Sequence, residues 1–266
     1  MQRLISALAI TFHGVTKEGP GASSNAIDSA ARRYAIGERQ FTKALALLPP
    51  SQICAAREIG QVASGDWRIL TFDDGLVSDY ELVFPALVAR GVKATFFINS
   101  ANIGKKGYCS KSQLREMIRA GMEIGSHGCT HRYLVTMPRS EAIKEIEQSR
   151  HELEHLLESS VTSFAPVGGH YRDWMLATAE KAGYSVFATM IPGRTAVGQK
   201  DILFLRRNHI QSEHSEDYLR RLIAAESGTL AVNRFRYTVL HLAKRILGMG
   251  TYDLIKSKLL GTSMED

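Results

Sequence analysis

Cysteine is scarce in this chain: three among 266 residues, Cys54, Cys109 and Cys129, odd in number and far apart. That spacing excludes a disulfide framework and favours a reducing compartment. Long apolar runs are missing too, and no stretch approaches the roughly 18 residues that span a bilayer. The opening MQRLISALAITFHG has one Arg and a short apolar run that meets Phe12-His13-Gly14 without a small-residue cleavage site. It reads as a first strand, not a signal peptide, so the expected location is the cytoplasm. There is no internal repeat and no low-complexity segment. The net charge is only +6, and residues 218–266 supply +4 of it, from eight Lys/Arg against four Asp/Glu. No nucleic-acid partner is expected.

What is there is ordinary globular composition, 44% hydrophobic and 23% charged, enough for a sizeable core. Seven apolar, β-rich runs recur, at 4–12, 67–72, 93–98, 122–126, 161–165, 184–189 and 202–206. Helical patterns separate several of them. DYELVFPALVAR ends at Gly91, with Pro85 as a kink or restart. SKSQLREMIRAG opens with Ser110 and Gln113 at capping-box spacing. The helix over SEAIKEIEQSRHELEHLLES puts Ile143, Ile146, Leu153 and Leu157 on one face, and RDWMLATAEKAG stops at Gly183. Strands alternating with helices predict an α/β fold with parallel strands. Residues 14–30 read as a mobile Gly/Ser/Ala loop, and 217–260 as wholly helical, with basic amphipathic stretches LHLAKRILG and TYDLIKSKLLG. A helix pair packed on the domain is the expected role of that tail. Peripheral contact with anionic lipid or a partner is the alternative.

Two acids, Asp73 and Asp74, stand side by side where ILTF leaves the core, and like charges there repel. Asp-Gly turn chemistry is one explanation and a bound cation another. After the fourth run, IGSHGCTHRYL places His127 and His131 four apart, a spacing that in a helical turn brings both imidazoles within reach of one ion. Both elements lie past the C-terminal ends of predicted strands, the edge at which α/β folds bind ligands.

TFDDG, ATFFI and EIGSHGCTH, in that order, resemble the polysaccharide deacetylase (NodB-homology) family, carbohydrate esterase family 4, over about residues 5–210. The resemblance implies a distorted (β/α)7-type barrel with a C-terminal helical extension, residues 1–216 forming the catalytic domain and 217–266 the tail. It implies metal-dependent removal of N-acetyl groups from an amino sugar. Asp74, His127 and His131 would hold a divalent ion, zinc being expected and cobalt, nickel or manganese the alternatives. Asp73 would be the general base. AITFHGV resembles the opening of a subgroup whose acid histidine is N-terminal, which points to His13, with His209 in LRRNHI as competitor. SFAPVGGHY resembles the third family motif around Pro166, Val167 and Gly168, with the Val167 N–H as an oxyanion donor and Gly168 and Gly169 leaving room for substrate. Ala165 stands where the family carries an Arg that orients the base, and Arg207 or Arg206 is the expected replacement. The implied substrate is an N-acetylated sugar, and with a cytoplasmic location the expectation is a precursor, such as a nucleotide- or lipid-linked sugar, or an oligosaccharide in cell-surface polysaccharide biosynthesis.

Rival readings are a sugar-binding relative without catalysis, and a deformylase or amidase on the same fold. HELEH, residues 151–155, matches the zinc-peptidase pattern H-E-x-x-H with Glu152 as base. Helix geometry turns His151 and His155 away from the apolar face, so a solvated surface is expected. His170, His214 and His241 receive the same reading, Cys129 reads as a small buried residue, and Tyr171 and Trp174 as packing or a sugar platform.

Overall fold

The computed structural model describes residues 5–17, 34–198 and 201–247. Its strands are β1 (Ile5–Phe12), β2 (Val15–Thr16), β3 (Ile36–Gly37), β4 (Gly65–Asp74), β5 (Thr95–Ile98), β6 (Glu123–Ser126), β7 (Ser163–Phe164), β8 (Val186–Thr189), β9 (Thr195–Val197) and β10 (Leu203–His209). Seven are parallel neighbours in the order β10-β8-β7-β6-β5-β4-β1, and β1 pairs back onto β10. The sheet therefore closes into a barrel. Closure is uneven. Ile5–Ala7 of β1 pair with antiparallel β9, while Ala9–Thr11 pair with Arg207–His209 of β10. The end at which the strands finish is thus the end that β10 seals directly.

The strands follow from period-two alternation. Leu8, Ile10 and Phe12, with Leu70, Phe72, Phe96 and Phe187, belong to a large buried cluster shared with the helices. The alternate residues Ala7, Ala9, Ile69, Phe97, Ala165, Ala188 and Leu205 form a smaller cluster of their own. Small side chains recur in that second set because a closed seven-stranded barrel leaves little room inside.

The helices are α1 (Glu38–Ala46), α2 (Phe84–Arg90), α3 (Lys111–Arg119), α4 (Arg139–Leu157), α5 (Asp173–Lys181), α6 (Glu216–Ile223) and α7 (Ser227–Leu247). Pro85 sits in the first turn of α2, after a π-helical turn over Asp79–Val83, where its missing N–H costs nothing. Ser110 and Gln113 form the expected reciprocal cap on α3. Of the stretch 217–260, the residues up to Leu247 are described, and they form the two helices α6 and α7. Ala225 takes a left-handed φ of 56° and separates α6 from α7. TYDLIKSKLLG and most of the loop at 14–30 lie outside the described residues. α1 and β9 are additions to the sequence reading.

Candidate active site

Three neighbouring strands deliver the site by the same stepping. From the small inner cluster outward, β4 runs Ile69, Thr71, Asp73, β1 runs Ala9, Thr11, His13, and β10 runs Leu205, Arg207, His209. Each series passes from apolar to polar at the strand end. Thr11 and Thr71 hydroxyls meet at 2.9 Å beneath the ionisable groups.

Alternation also answers why the two acids are adjacent: neighbours on a strand face opposite sides. Asp73 is buried, and Arg207 donates to it in bidentate fashion, Nη1 to Oδ1 at 2.6 Å and Nη2 to Oδ2 at 3.0 Å. Burial alone would raise its pKa. The charges of Arg207, His127 and His13 outweigh burial and hold the carboxyl below the usual carboxylate range. His13 Nε2 stands 3.6 Å from Asp73 Oδ2. The expected replacement for the third-motif Arg is therefore Arg207, while Arg206 bonds Thr195 through its backbone N–H. Arg207 is fully buried and spends both terminal nitrogens on Asp73, so it orients that carboxylate and does not reach substrate.

Asp74 departs from strand geometry, with φ 77°. Gly75 follows at φ 72°, where a Cβ would lie 2.7 Å from Ile98 Cδ1, so the turn requires glycine. This turn swings the Asp74 carboxylate toward the histidines: Oδ1 is 2.9 Å from His131 Nε2 and 3.5 Å from His127 Nε2. Among the described residues these three form the one group whose donor atoms all lie within 4.8 Å of one another. A divalent ion with ligands at about 2.0–2.2 Å sets its donors roughly 3.0–3.4 Å apart, close to the two separations from Asp74. Donor chemistry fits as well. His127 Nδ1 lies 2.7 Å from the Ala165 carbonyl oxygen, an acceptor only, so Nδ1 carries the proton and Nε2 presents its lone pair. Burial lowers the His127 pKa against the pull of Asp73 and Asp74, which keeps the ring neutral as a ligand must be. For Asp74, burial raises the pKa but the His131 hydrogen bond and the histidine charges bring it below the ordinary value.

Two supports of this cluster were not read from the sequence. Glu145 on α4 accepts from the Cys129 N–H at 2.7 Å, the Thr130 N–H at 3.1 Å and the Thr130 hydroxyl at 2.6 Å, tying down the loop between the two histidines. A signal existed, because Glu145 lies among Ala142, Ile146, Ser149 and Leu153 on the buried stripe of α4, where an acid needs partners. Buried Asn99 donates from Nδ2 to the His127 carbonyl at 2.6 Å.

His209 is packed edge-on against His13, with ring centroids 4.4 Å apart, and Tyr34 lies 5.6 Å from His13. Burial drives the His209 pKa well below the ordinary value, so at neutral pH it has no proton to spare for a leaving group. In the third motif, Val167 is buried and Gly168 has φ 64°. A Cβ at 168 would lie 2.7 Å from the Tyr133 ring, so the space this glycine opens is taken by Tyr133 and not left for substrate. Tyr171 packs edge-on to Phe187 and Phe204, and Trp174 lies under Arg139; both are packing. His151 and His155 are exposed on α4, and Glu152 is bonded by Ser100 and Gln148. The peptidase pattern is a helix surface. Cys129 is buried and its thiol is pushed up to about 12, chiefly by burial. His214 accepts from the Gln211 N–H, and the side chain of His241 lies outside the described residues.

Residues 63–187 match the polysaccharide deacetylase family model. The chain is 30% identical over 131 residues to YxkH of Bacillus subtilis (strain 168), a protein named for polysaccharide deacetylase, covering 49% of this chain and 47% of that one. It is 32% identical over 117 residues to a chitin deacetylase from Pestalotiopsis sp, covering 44% and 39% respectively. The matched region thus spans less than half the length of either curated relative. The Streptococcus pyogenes deacetylase PplD, solved with acetate, superposes with a TM-score of 0.70 at 20% identity over 84% of this chain and 99% of that one, a likeness of fold. The matched segment contains Asp73, Asp74, His127 and His131, so residues 63–187 carry a polysaccharide deacetylase domain, similar to these curated relatives, within a barrel that has the fold of a solved deacetylase.

Proposed function

We propose that this protein is a metal-dependent hydrolase that removes N-acetyl groups from an amino sugar. The observation that carries the reading is the division of labour between adjacent acids. Asp74 faces two histidines as a ligand does, while Asp73 faces a guanidinium and a third histidine. Asp74, His127 and His131 are the residues that would hold the ion, and when bound it supplies Lewis acidity to the acetyl carbonyl and to a water.

The chain's own groups do the proton work. Asp73, kept ionised by Arg207, takes a proton from the attacking water. Its two oxygens are both engaged by the guanidinium, so its direction is set before substrate arrives. His13, with Nε2 3.6 Å from Asp73 Oδ2, gives a proton to the departing amine, which cannot leave as an anion. The Val167 N–H is the proposed donor to the developing oxyanion. Arg207 also supports hydrolysis over a purely sugar-binding relative, because the base retains an orienting partner despite Ala165.

The reading extends to a precursor or oligosaccharide of cell-surface polysaccharide, nucleotide- or lipid-linked, handled in the cytoplasm. Three buried, unpaired cysteines suit such a compartment. The direct test is acetate release from N-acetylated nucleotide sugars, lipid-linked sugars and oligosaccharides, after chelation and with zinc, cobalt, nickel or manganese added back. Metal-restored acetate release supports the reading. Release that is indifferent to chelation, or none on any substrate class, refutes it.

A further inference from the structure

Seven large hydrophobic side chains are exposed among the described residues, and five of them, Val232, Phe235, Val239, Leu240 and Leu242, lie on α7. This helix is 21 residues long, about 31 Å at 1.5 Å per residue. Its inner face is accounted for. Leu230 packs on the large core cluster, and Asn233 Nδ2 donates to the Tyr218 hydroxyl at 2.8 Å. At 100° per residue, Val232, Phe235, Val239 and Leu242 fall within an arc of about 80°, centred roughly opposite Leu230. Phe235 is 70% exposed and Val232 57%, so this stripe is an outer face and not the rim of the core.

The charge on α7 has one sign. Its sequence carries Arg234, Arg236, Lys244 and Arg245 and contains no Asp or Glu. Arg236 borders the stripe and is exposed. A second copy of the chain is a poor occupant for it. Spacings of three and four suit a helix pair, but two copies would bring only positive charges together along the seam. An apolar stripe bordered by Arg236 on an acid-free helix instead matches the plane of an anionic bilayer, where the stripe enters the acyl boundary and Arg236 meets the headgroups.

We infer that α7 docks this protein on anionic phospholipid membranes, with Phe235 and Val239 as the inserted residues. The inference stands whether or not the site hydrolyses amides.

The test is sedimentation of the full chain with vesicles of phosphatidylcholine alone and of phosphatidylcholine with phosphatidylglycerol in equal parts, at low and high salt. Binding to the anionic vesicles alone, weakened by salt, is expected. The double variant Phe235→Glu/Val239→Glu should lose it while keeping its thermal melt, since both side chains face solvent. Arg236→Gln should weaken it roughly fivefold, the share of one base near such a surface. Equal sedimentation of wild type and the double variant would overturn the inference, as would failure to bind either vesicle. A dimer by light scattering that the double variant dissolves, without vesicle binding, would assign the stripe to a second copy and overturn it too.

Discussion

Arg207 donates both terminal nitrogens to the carboxylate of Asp73 at 2.6 and 3.0 Å, with both side chains buried. The pair joins β10 to β4, so in the proposed reaction catalysis and stability depend on one contact. Arg207→Met leaves a buried, unpaired carboxylate, and breaking such a pair costs about 3–5 kcal/mol. Chemical denaturation should show a loss of that size. Arg207→Lys keeps the charge but gives up the fork, so it should remain folded and still lose most of its kcat. Wild-type kcat in the lysine variant would remove orientation of Asp73 from the account.

In the proposed reaction His13 protonates the leaving amine, and a good leaving group needs no such help. His13→Ala should slow acetamide hydrolysis by roughly 10²–10⁴ and cleavage of an activated acetate ester far less. Comparing the two kcat/KM ratios checks the role, and equal slowing would contradict it.

Glu145 touches no proposed ligand side chain yet holds the loop between two of them through three hydrogen bonds. Glu145→Ala removes the acceptors of all three bonds. Metal affinity should fall about 10–100-fold, as for other outer supports of metal sites, while the fold persists. Competitive chelator titration reads this directly, and unchanged affinity would mean that the loop holds its shape without the acid.

Asp79 is fully buried, and neither carboxyl oxygen has a hydrogen-bond partner among the described residues. Burial first, then the charges of Asp74 and Asp73, push its pKa well above the ordinary value. A raised folded-state pKa means the native chain holds the proton more tightly than the unfolded one. That stabilisation is complete below the unfolded pKa of about 3.9 and is lost as pH rises toward the folded value, at up to about 1.4 kcal/mol per pH unit. Asp79→Asn removes this titration. In metal-free protein its unfolding free energy should gain on wild type as pH rises from about 4 toward neutrality. A difference that does not change with pH would show that Asp79 is ionised and satisfied.

Much of this arrangement was legible because it rests on local pattern. All seven parallel strands coincide with apolar β-rich runs, and the Ser110 cap on α3 follows from residue spacing alone. Asp73, Asp74, His127 and His131 were legible as a set because each lies at the end of an apolar strand run or shortly after one. Elements without a local signal escaped. α1 begins after Gly37 with no side-chain cap, and β9 has three residues, held in place by pairing with β1. The break at Ala225 was hidden because alanine normally favours helix. Glu145 and the occupation of Gly168's space by Tyr133 depend on contacts between distant segments, which periodicity does not encode.

The measurement closest to the central claim is anomalous scattering from crystals grown with zinc. The account predicts a single peak shared by Asp74 Oδ1, His127 Nε2 and His131 Nε2, each at about 2.0–2.2 Å, and its disappearance in Asp74→Ala but not in His151→Ala. Zinc seated between His151 and His155, with no density beside Asp74, would contradict it.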